Sequence, residues 1–132
     1  MSLSDKMRFL VADDSRISRR WLIEMIPKKI LDNTVIIEAE NGEQAISLYQ
    51  EHKPDLVFLD ITMPVVDGFE ALEKIREVNP HALVVMVSAD RQKSTQEKVL
   101  ALGASAILAK PIDAEEFRST LLKLVFWNDT LF

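Results

Sequence analysis

Five short apolar runs, each followed by a longer stretch of helical spacing, constrain this chain more than any other feature. The runs are Phe9–Ala12, Val35–Ala39, Leu56–Leu59, Leu83–Val87 and Ala106–Ala109. They are rich in Val, Ile, Leu and Phe with little polar alternation, the pattern of parallel strands covered on both faces. Between them, "GEQAISLYQEH" sets Ala45, Leu48 and Tyr49 on one helical face, and "GFEALEKIREV" does the same with Phe69, Leu72 and Ile75. The last stretch, "DAEEFRSTLLKLVF", offers Phe117, Leu121, Leu124 and Val125 behind an Asp113 N-cap. A first helix opens near Ser15, and its apolar residues Ile17, Trp21 and Met25 predict a core-facing stripe. Pro27 removes a backbone donor, so that helix ends or kinks before "KKILDN". Five strands alternating with five helices give an α/β chain of (βα)5 type, hence a parallel sheet with helices on both faces. A closed barrel needs about eight such units. An open, doubly wound five-stranded sheet is therefore expected.

The chain of 132 residues has the length of one domain, and no linker, repeat or low-complexity segment divides it. Sixteen basic residues against twenty-one acidic ones leave a net charge of −5, which argues against direct nucleic-acid binding. The absence of cysteine excludes disulfides, thiolate metal sites and thiol catalysis. The apolar runs stop well short of a membrane span, and "MSLSDKMRF" lacks a signal-peptide core, so no membrane association and a cytoplasmic location are expected.

In a parallel sheet the C-terminal strand ends share one edge, and ligands bind where the strand order reverses. Strand one ends in Asp13-Asp14, strand three in Asp60, strand four in Ser88, and strand five in Lys110-Pro111, while Glu40-Asn41-Gly42 after strand two reads as a turn into a helix. Three carboxylates, one hydroxyl and one ammonium thus converge. Nearby carboxylates repel one another, and a divalent cation relieves that repulsion better than protonation. An oxygen-only donor set with few carboxylates suits Mg²⁺. Such an ion commonly completes its shell with phosphate oxygens, for which Lys110 supplies a compact charge and Ser88 a donor. Asp60 closes the most apolar strand, which makes it the best-constrained nucleophile for a phosphoryl group.

The segments "LVADDS", "DLVFLDITMPVVDGFEAL", "VVMVSAD" and "GASAILAKP", in order at successive strand ends, resemble response-regulator receiver domains of two-component signalling, chemotaxis regulators among them. The likeness spans about Lys6 to Phe126 and defines a receiver domain at 5–126, with a tail at 127–132 and no output domain after it. It implies a flavodoxin-like sheet of order 2-1-3-4-5, the order for which the chemotaxis regulator is itself a standard example. It implies Asp60 as phosphoacceptor, fed by a sensor histidine kinase or a histidine phosphotransfer protein. Mg²⁺ would be held by Asp14 directly, Asp13 through water, Asp60, and the backbone carbonyl of Thr62. Lys110 would pair with Asp60 and then with the phosphoryl group, across a cis Lys110-Pro111 bond. Ser88 would swing toward the phosphoryl oxygen and change the surface formed by the helix before Gly103, the fifth strand and the last helix. That surface would meet a downstream protein or an output domain, or a second copy in a phosphorylation-dependent dimer. The protein would be a switch and not an enzyme, apart from its own aspartyl phosphorylation and dephosphorylation.

The chain departs from the pattern at Ile107, where many relatives carry an aromatic ring that turns inward on activation. Ser88 and the following helix are then expected to carry the change, with Ile107 repacking. Thr62 and Asp90 stand where phosphoryl lifetime is tuned, Asp90 as a group that orients water. Plainer readings compete throughout. Asp13, Asp14 and Ser15, and likewise Ser88 and Asp90, serve as caps; Lys110 serves as a solvated loop lysine. Asp67-Gly68 reads as a turn and helix start, and His52 and His81 as surface residues. Trp21 is a core residue by default, or a partner contact, since relatives dock their phosphodonor against the first helix. Trp127, Leu131 and Phe132 of the tail pack back or meet a second subunit. Two other functions fit parts of the set. A haloacid-dehalogenase-type phosphatase shares the Asp nucleophile, Mg²⁺, hydroxyl and Lys, but wants an acid/base Asp where Thr62 stands. A flavodoxin-like FMN module shares the fold, but Asp13 and Asp14 would repel its phosphate.

Overall fold

A computed structural model describes residues 6–130, with side chains as far as residue 126. Its strands are β1 (Met7–Ala12), β2 (Thr34–Ala39), β3 (Leu56–Asp60), β4 (Val84–Ser88) and β5 (Ala106–Ala109). Its helices are α1 (Arg16–Met25), α2 (Lys28–Leu31), α3 (Gly42–His52), α4 (Gly68–Val78), α5 (Lys93–Ala101) and α6 (Ala114–Thr130). The five strands form one parallel sheet in the order β2-β1-β3-β4-β5. All five expected strands are present, within two residues at each end.

The strands alternate their side chains between two apolar layers, as a pleated sheet must. On one face, Leu10, Val57, Leu59 and Met86 pack under Ala45 and Tyr49 of α3, Leu72 and Ile75 of α4, and Val99 of α5. On the other, Phe9, Phe58, Val85 and Leu108 pack under Leu22 of α1 and Phe117 and Leu121 of α6. Phe58 joins Phe9 edge-on at 6.2 Å and stacks on Phe117 at 5.4 Å. Aromatic contacts of this kind add about 0.5–1.5 kcal/mol each beyond buried area. Central β3 is buried at all five positions, Asp60 included.

Helix starts follow the cap chemistry of the sequence. Asn41, Asp67 and Asp113 each accept a hydrogen bond from the backbone N–H three residues on, at 2.8, 3.0 and 2.8 Å. Pro27 stops the first helix as expected, with Ile26 extended beyond Met25. One difference follows at once: "KKIL" forms a single-turn helix after Pro27, because proline suits the start of a helix better than its interior. The helices therefore number six among the described residues, not five.

A second difference lies on α1. Ile17 and Trp21, expected in the core, are 62% and 65% exposed, while Met25 is half-buried. The buried line is Leu22, with Ile26 just past the helix end, one residue round from the apolar stripe of the sequence. The last helix runs on to Thr130. The Trp127 side chain, Leu131 and Phe132 lie outside the described residues. No helix among the described residues is long and apolar enough to cross a membrane.

Candidate functional site

At the carboxyl edge of the sheet, β1 and β3 are neighbours although α1, α2, β2 and α3 separate them in sequence. This is where the strand order reverses. Asp13 leaves β1, Asp60 ends β3, Ser88 ends β4 and Lys110 follows β5, so strand pairing alone brings the expected side chains to one place. Asp13, Asp60 and Ser88 are all buried, and Asp14 is exposed beside them. Carboxylate oxygens of Asp13, Asp14 and Asp60 lie within 4.8 Å of one another.

Lys110 ties the cluster together. Its ammonium donates to Asp13 Oδ2 at 2.9 Å and to Asp60 Oδ2 at 2.8 Å. It is therefore not a solvated loop lysine. The bond from Lys110 to Pro111 is cis. Asp60 Oδ1 accepts from the Thr62 backbone N–H at 3.2 Å, and Asp13 Oδ1 from that of Ser15 at 2.9 Å. Asp13 thus fixes the turn, and Ser15 caps α1 by accepting from the Ser18 N–H at 3.2 Å. The cap reading holds for Ser15, and the buried acid–lysine contacts go beyond it for Asp13.

Burial pushes the Asp60 carboxyl above its ordinary value of 3.8; Lys110 opposes that shift and Asp13's charge reinforces it. Burial pulls the Lys110 ammonium down, but hydrogen bonds and charge from Asp60 and Asp13 outweigh it and hold the group raised. One ammonium faces three carboxylates. The surplus of negative charge is what a cation would relieve, and an all-oxygen donor set with an exposed mouth suits a hard divalent ion.

Ser88 Oγ accepts from the Asp90 N–H at 2.9 Å, so its hydroxyl proton remains available. Asp90 is occupied locally: it accepts from the Thr95 hydroxyl at 2.7 Å and the Gln92 N–H at 2.9 Å, and these lower its pKa, Thr95 more than Gln92. Thr62 is exposed beside the acids. Ile107 pairs with Met86 across β5 and β4 and packs half-buried against the face under α3, α4 and α5. His81 is exposed and His52 partly so, and neither belongs to an acidic or metal-type cluster among the described residues.

The loop after Asp60 is closely packed. A Cβ at Gly68 would lie 2.4 Å from the Asp60 carbonyl oxygen, so only glycine allows α4 to start there. Val65, exposed in the same loop, holds φ at 68°, a left-handed conformation that costs a branched residue about 1–2 kcal/mol.

A cavity of about 390 Å³ opens from Asp13, Asp60 and Lys110 and runs beside α1 past Trp21, Leu22 and Met25 to Pro111 and Ile112. Two features of the first helix stand out here. One is the exposure of Trp21, which overturns its default core reading and leaves the alternative of a partner contact. The other is Arg19, which reaches under the acidic loop, donating from Nη1 to the Asp13 carbonyl at 2.7 Å and from Nε to Glu38 Oε1 at 2.8 Å. Helical periodicity could have found Arg19, since it stands three residues before buried Leu22.

Fold and site together define a doubly wound α/β domain with an acid–lysine cluster at its topological switch point. A profile of the response regulator receiver domain matches residues 9–122, nearly the whole chain. The chemotaxis protein CheY of Bacillus subtilis is 37% identical over 116 residues, 88% of this chain and 95% of that protein. Among solved structures, CheY in the CheX–CheY–BeF3–Mg complex of Borrelia burgdorferi superposes with a TM-score of 0.83 at 30% identity, covering 90% of this chain and 89% of that one. The receiver domain of AraT from Geobacillus stearothermophilus superposes with a TM-score of 0.85 at 28% identity, covering 94% and 96%. The chain belongs to the response-regulator receiver family, the CheY-like domains of two-component signalling.

Proposed function

We propose that this protein is a phosphoacceptor switch in which Asp60 takes a phosphoryl group from a histidine kinase or histidine phosphotransfer protein. The observation that carries the reading is Lys110, whose ammonium bridges Asp13 and Asp60 at 2.9 and 2.8 Å inside a three-carboxylate cluster. An Asp60 oxygen forms the new bond to phosphorus as the bond to the donor imidazole nitrogen breaks. Lys110 gives up part of its contact with Asp60 to the incoming phosphoryl oxygens and offsets their charge. Ser88, buried at the end of the next strand, supplies a hydroxyl to one of those oxygens.

The donor set fits Mg²⁺, which would be held by Asp14 and Asp60, by Asp13 through water and by the Thr62 carbonyl. When bound, the ion neutralises negative charge among the carboxylates and the phosphoryl oxygens. Movement of Ser88 would pull on the loop leading into α5 and change the α5–β5–α6 surface, with Ile107 repacking beside Met86. That surface would then engage a downstream protein, an output domain or a second copy. Thr62 and Asp90 would set the lifetime of the phosphoform, although the two hydrogen bonds on Asp90 limit its freedom to orient water. The phosphodonor would approach over α1, whose exposed Ile17 and Trp21 flank the open cavity. Such a protein works in the cytoplasm as a domain spanning residues 5–126 and turns over no substrate apart from its own phosphoryl group.

The test is intact-protein mass after incubation with a small phosphodonor, with and without Mg²⁺. Wild type gains one phosphoryl group only with Mg²⁺, and Asp60→Asn gains none. Labelling of Asp60→Asn, or steady turnover of a phosphomonoester by wild type, would overturn the reading; the latter would favour a phosphatase.

A further inference from the structure

We propose that Arg19, aimed by Glu38, is a positioning residue that presets the acidic loop for its cation. The inference rests on the Mg²⁺ reading of the site. The inner face of an amphipathic helix is ordinarily apolar, yet Arg19 occupies it one turn before Leu22 with its side chain only 11% exposed. A guanidinium is rarely placed there without partners that need it. Its partners among the described residues are the Asp13 carbonyl at 2.7 Å and Glu38 Oε1 at 2.8 Å.

The first contact matters for chemistry. The Asp13 N–H donates to the Ala39 carbonyl at 3.0 Å, at the end of β2. With its carbonyl held by Arg19, the Asp13 backbone is gripped on both sides. Its carboxylate is gripped too, by Ser15 and Lys110. Asp14 is the next residue. Its carboxylate is exposed and has no hydrogen-bond partner among the described residues, so the backbone it springs from, the Asp13–Asp14 peptide that Arg19 holds, is what limits where it can reach. Mg²⁺ demands near-ideal octahedral geometry, so a loop free to rotate would bind it less well. Glu38 contributes by taking the guanidinium's Nε, which leaves Nη1 directed at the Asp13 carbonyl. Glu38 itself is 47% exposed, so a bare α1–β2 staple would not need the buried half of this arrangement.

The experiment is an NMR titration of the whole chain with MgCl2, reading affinity from the amide shifts of Asp14, Ser15 and Thr62, together with the melting temperature of the metal-free protein. Arg19→Met keeps the apolar stem and removes the fork. It is expected to weaken Mg²⁺ binding about tenfold, the usual effect of removing a group that supports metal ligands. Arg19→Lys should fall between the two, because one ammonium cannot serve both Asp13 and Glu38. Glu38→Gln, which keeps an acceptor oxygen, should stay within about twofold of wild type. Wild-type affinity in Arg19→Met overturns the proposal whatever the melting temperature does. If Arg19→Met does not fold, Arg19→Lys decides: undiminished Mg²⁺ affinity overturns the proposal. Mg²⁺ that leaves wild-type amides unshifted overturns the switch reading and this one with it, whereas wild-type binding with an unaffected variant overturns this one alone.

Discussion

The two ends of the sheet are built from similar polar residues and put them to opposite uses. At the amino edge the polar contacts named here tie single groups together without crowding like charges. Asp55 accepts from the Arg8 N–H at 2.8 Å, Arg8 donates onward to the His52 carbonyl at 3.0 Å, and Tyr49 is joined to Asn79 at 3.1 Å. Arg76 reaches the Ala82 carbonyl, and Ser105 accepts from the Val84 N–H. The Arg8 contacts lie at the surface and the others are part-buried, and none of them gathers like charges. At the carboxyl edge three carboxylates cluster around one ammonium that pairs with two of them, and Asp60, the proposed phosphoacceptor, is buried. The lesson is that an unbalanced set of charges, more than polarity itself, distinguishes a reactive end from a structural one.

Substitutions at matched places can break or sharpen that contrast. The largest difference should come from the two cations. Lys110→Ala is expected to slow phosphorylation by a small phosphodonor about 10²-fold, the scale on which removal of one charge-stabilising donor acts. Arg8→Ala, at the far end, should phosphorylate at the wild-type rate; an equal loss in both would erase the contrast.

Next come the glycines. At Gly68 an added Cβ would meet backbone, the Asp60 carbonyl oxygen at 2.4 Å and Ile61 Cα at 2.5 Å. Gly68→Ala should therefore cost about 2–3 kcal/mol and weaken Mg²⁺ binding as well. At Gly103, with φ of 98°, the neighbour is the movable Arg76 guanidinium, so Gly103→Ala should cost about 1–2 kcal/mol and leave Mg²⁺ binding intact. Denaturant melts and Mg²⁺ titration of both variants check this.

The smallest effect is one of pH. Burial raises the Asp60 pKa above 3.8, so the folded state holds its proton more tightly than the unfolded chain does. Without Mg²⁺, wild type then loses stability as pH rises from about 3.8 through the raised folded value. Asp60→Asn lacks that loss and should be the more stable of the two at neutral pH. The gap should close as pH falls toward 3.8. A gap that persists at low pH would mean that the carboxylate is not the cause.

The fold was readable in the sequence because the strands are largely apolar on both sides, most of all the central β3 and β4, a pattern few other structures produce. The candidate site at the carboxyl edge was readable for a related reason: Asp60, Ser88 and Asp13 interrupt or terminate apolar runs, so they announce themselves against a uniform background. Helix α1 misled because it carries two competing stripes. Ile17, Trp21 and Met25 repeat every four residues, but the line that faces the sheet passes through Arg19 and Leu22. A buried arginine reads as surface when only hydrophobicity is counted. Ile17 and Trp21 read as core for the same reason. The turn of α2 was hidden because four residues are too few to show periodicity.

Lys110 joins groups that stand 97 and 50 residues away along the chain. None of the three segments that follow β1, β3 and β5 can open without parting that junction. Anything bound there stabilises the closed junction by mass action, and the protection reaches the ends of β1, β3 and β5 at once. Amide hydrogen exchange in those strand ends should therefore slow as one cooperative unit when a ligand is present, so that occupancy of a surface site registers in the interior of the sheet.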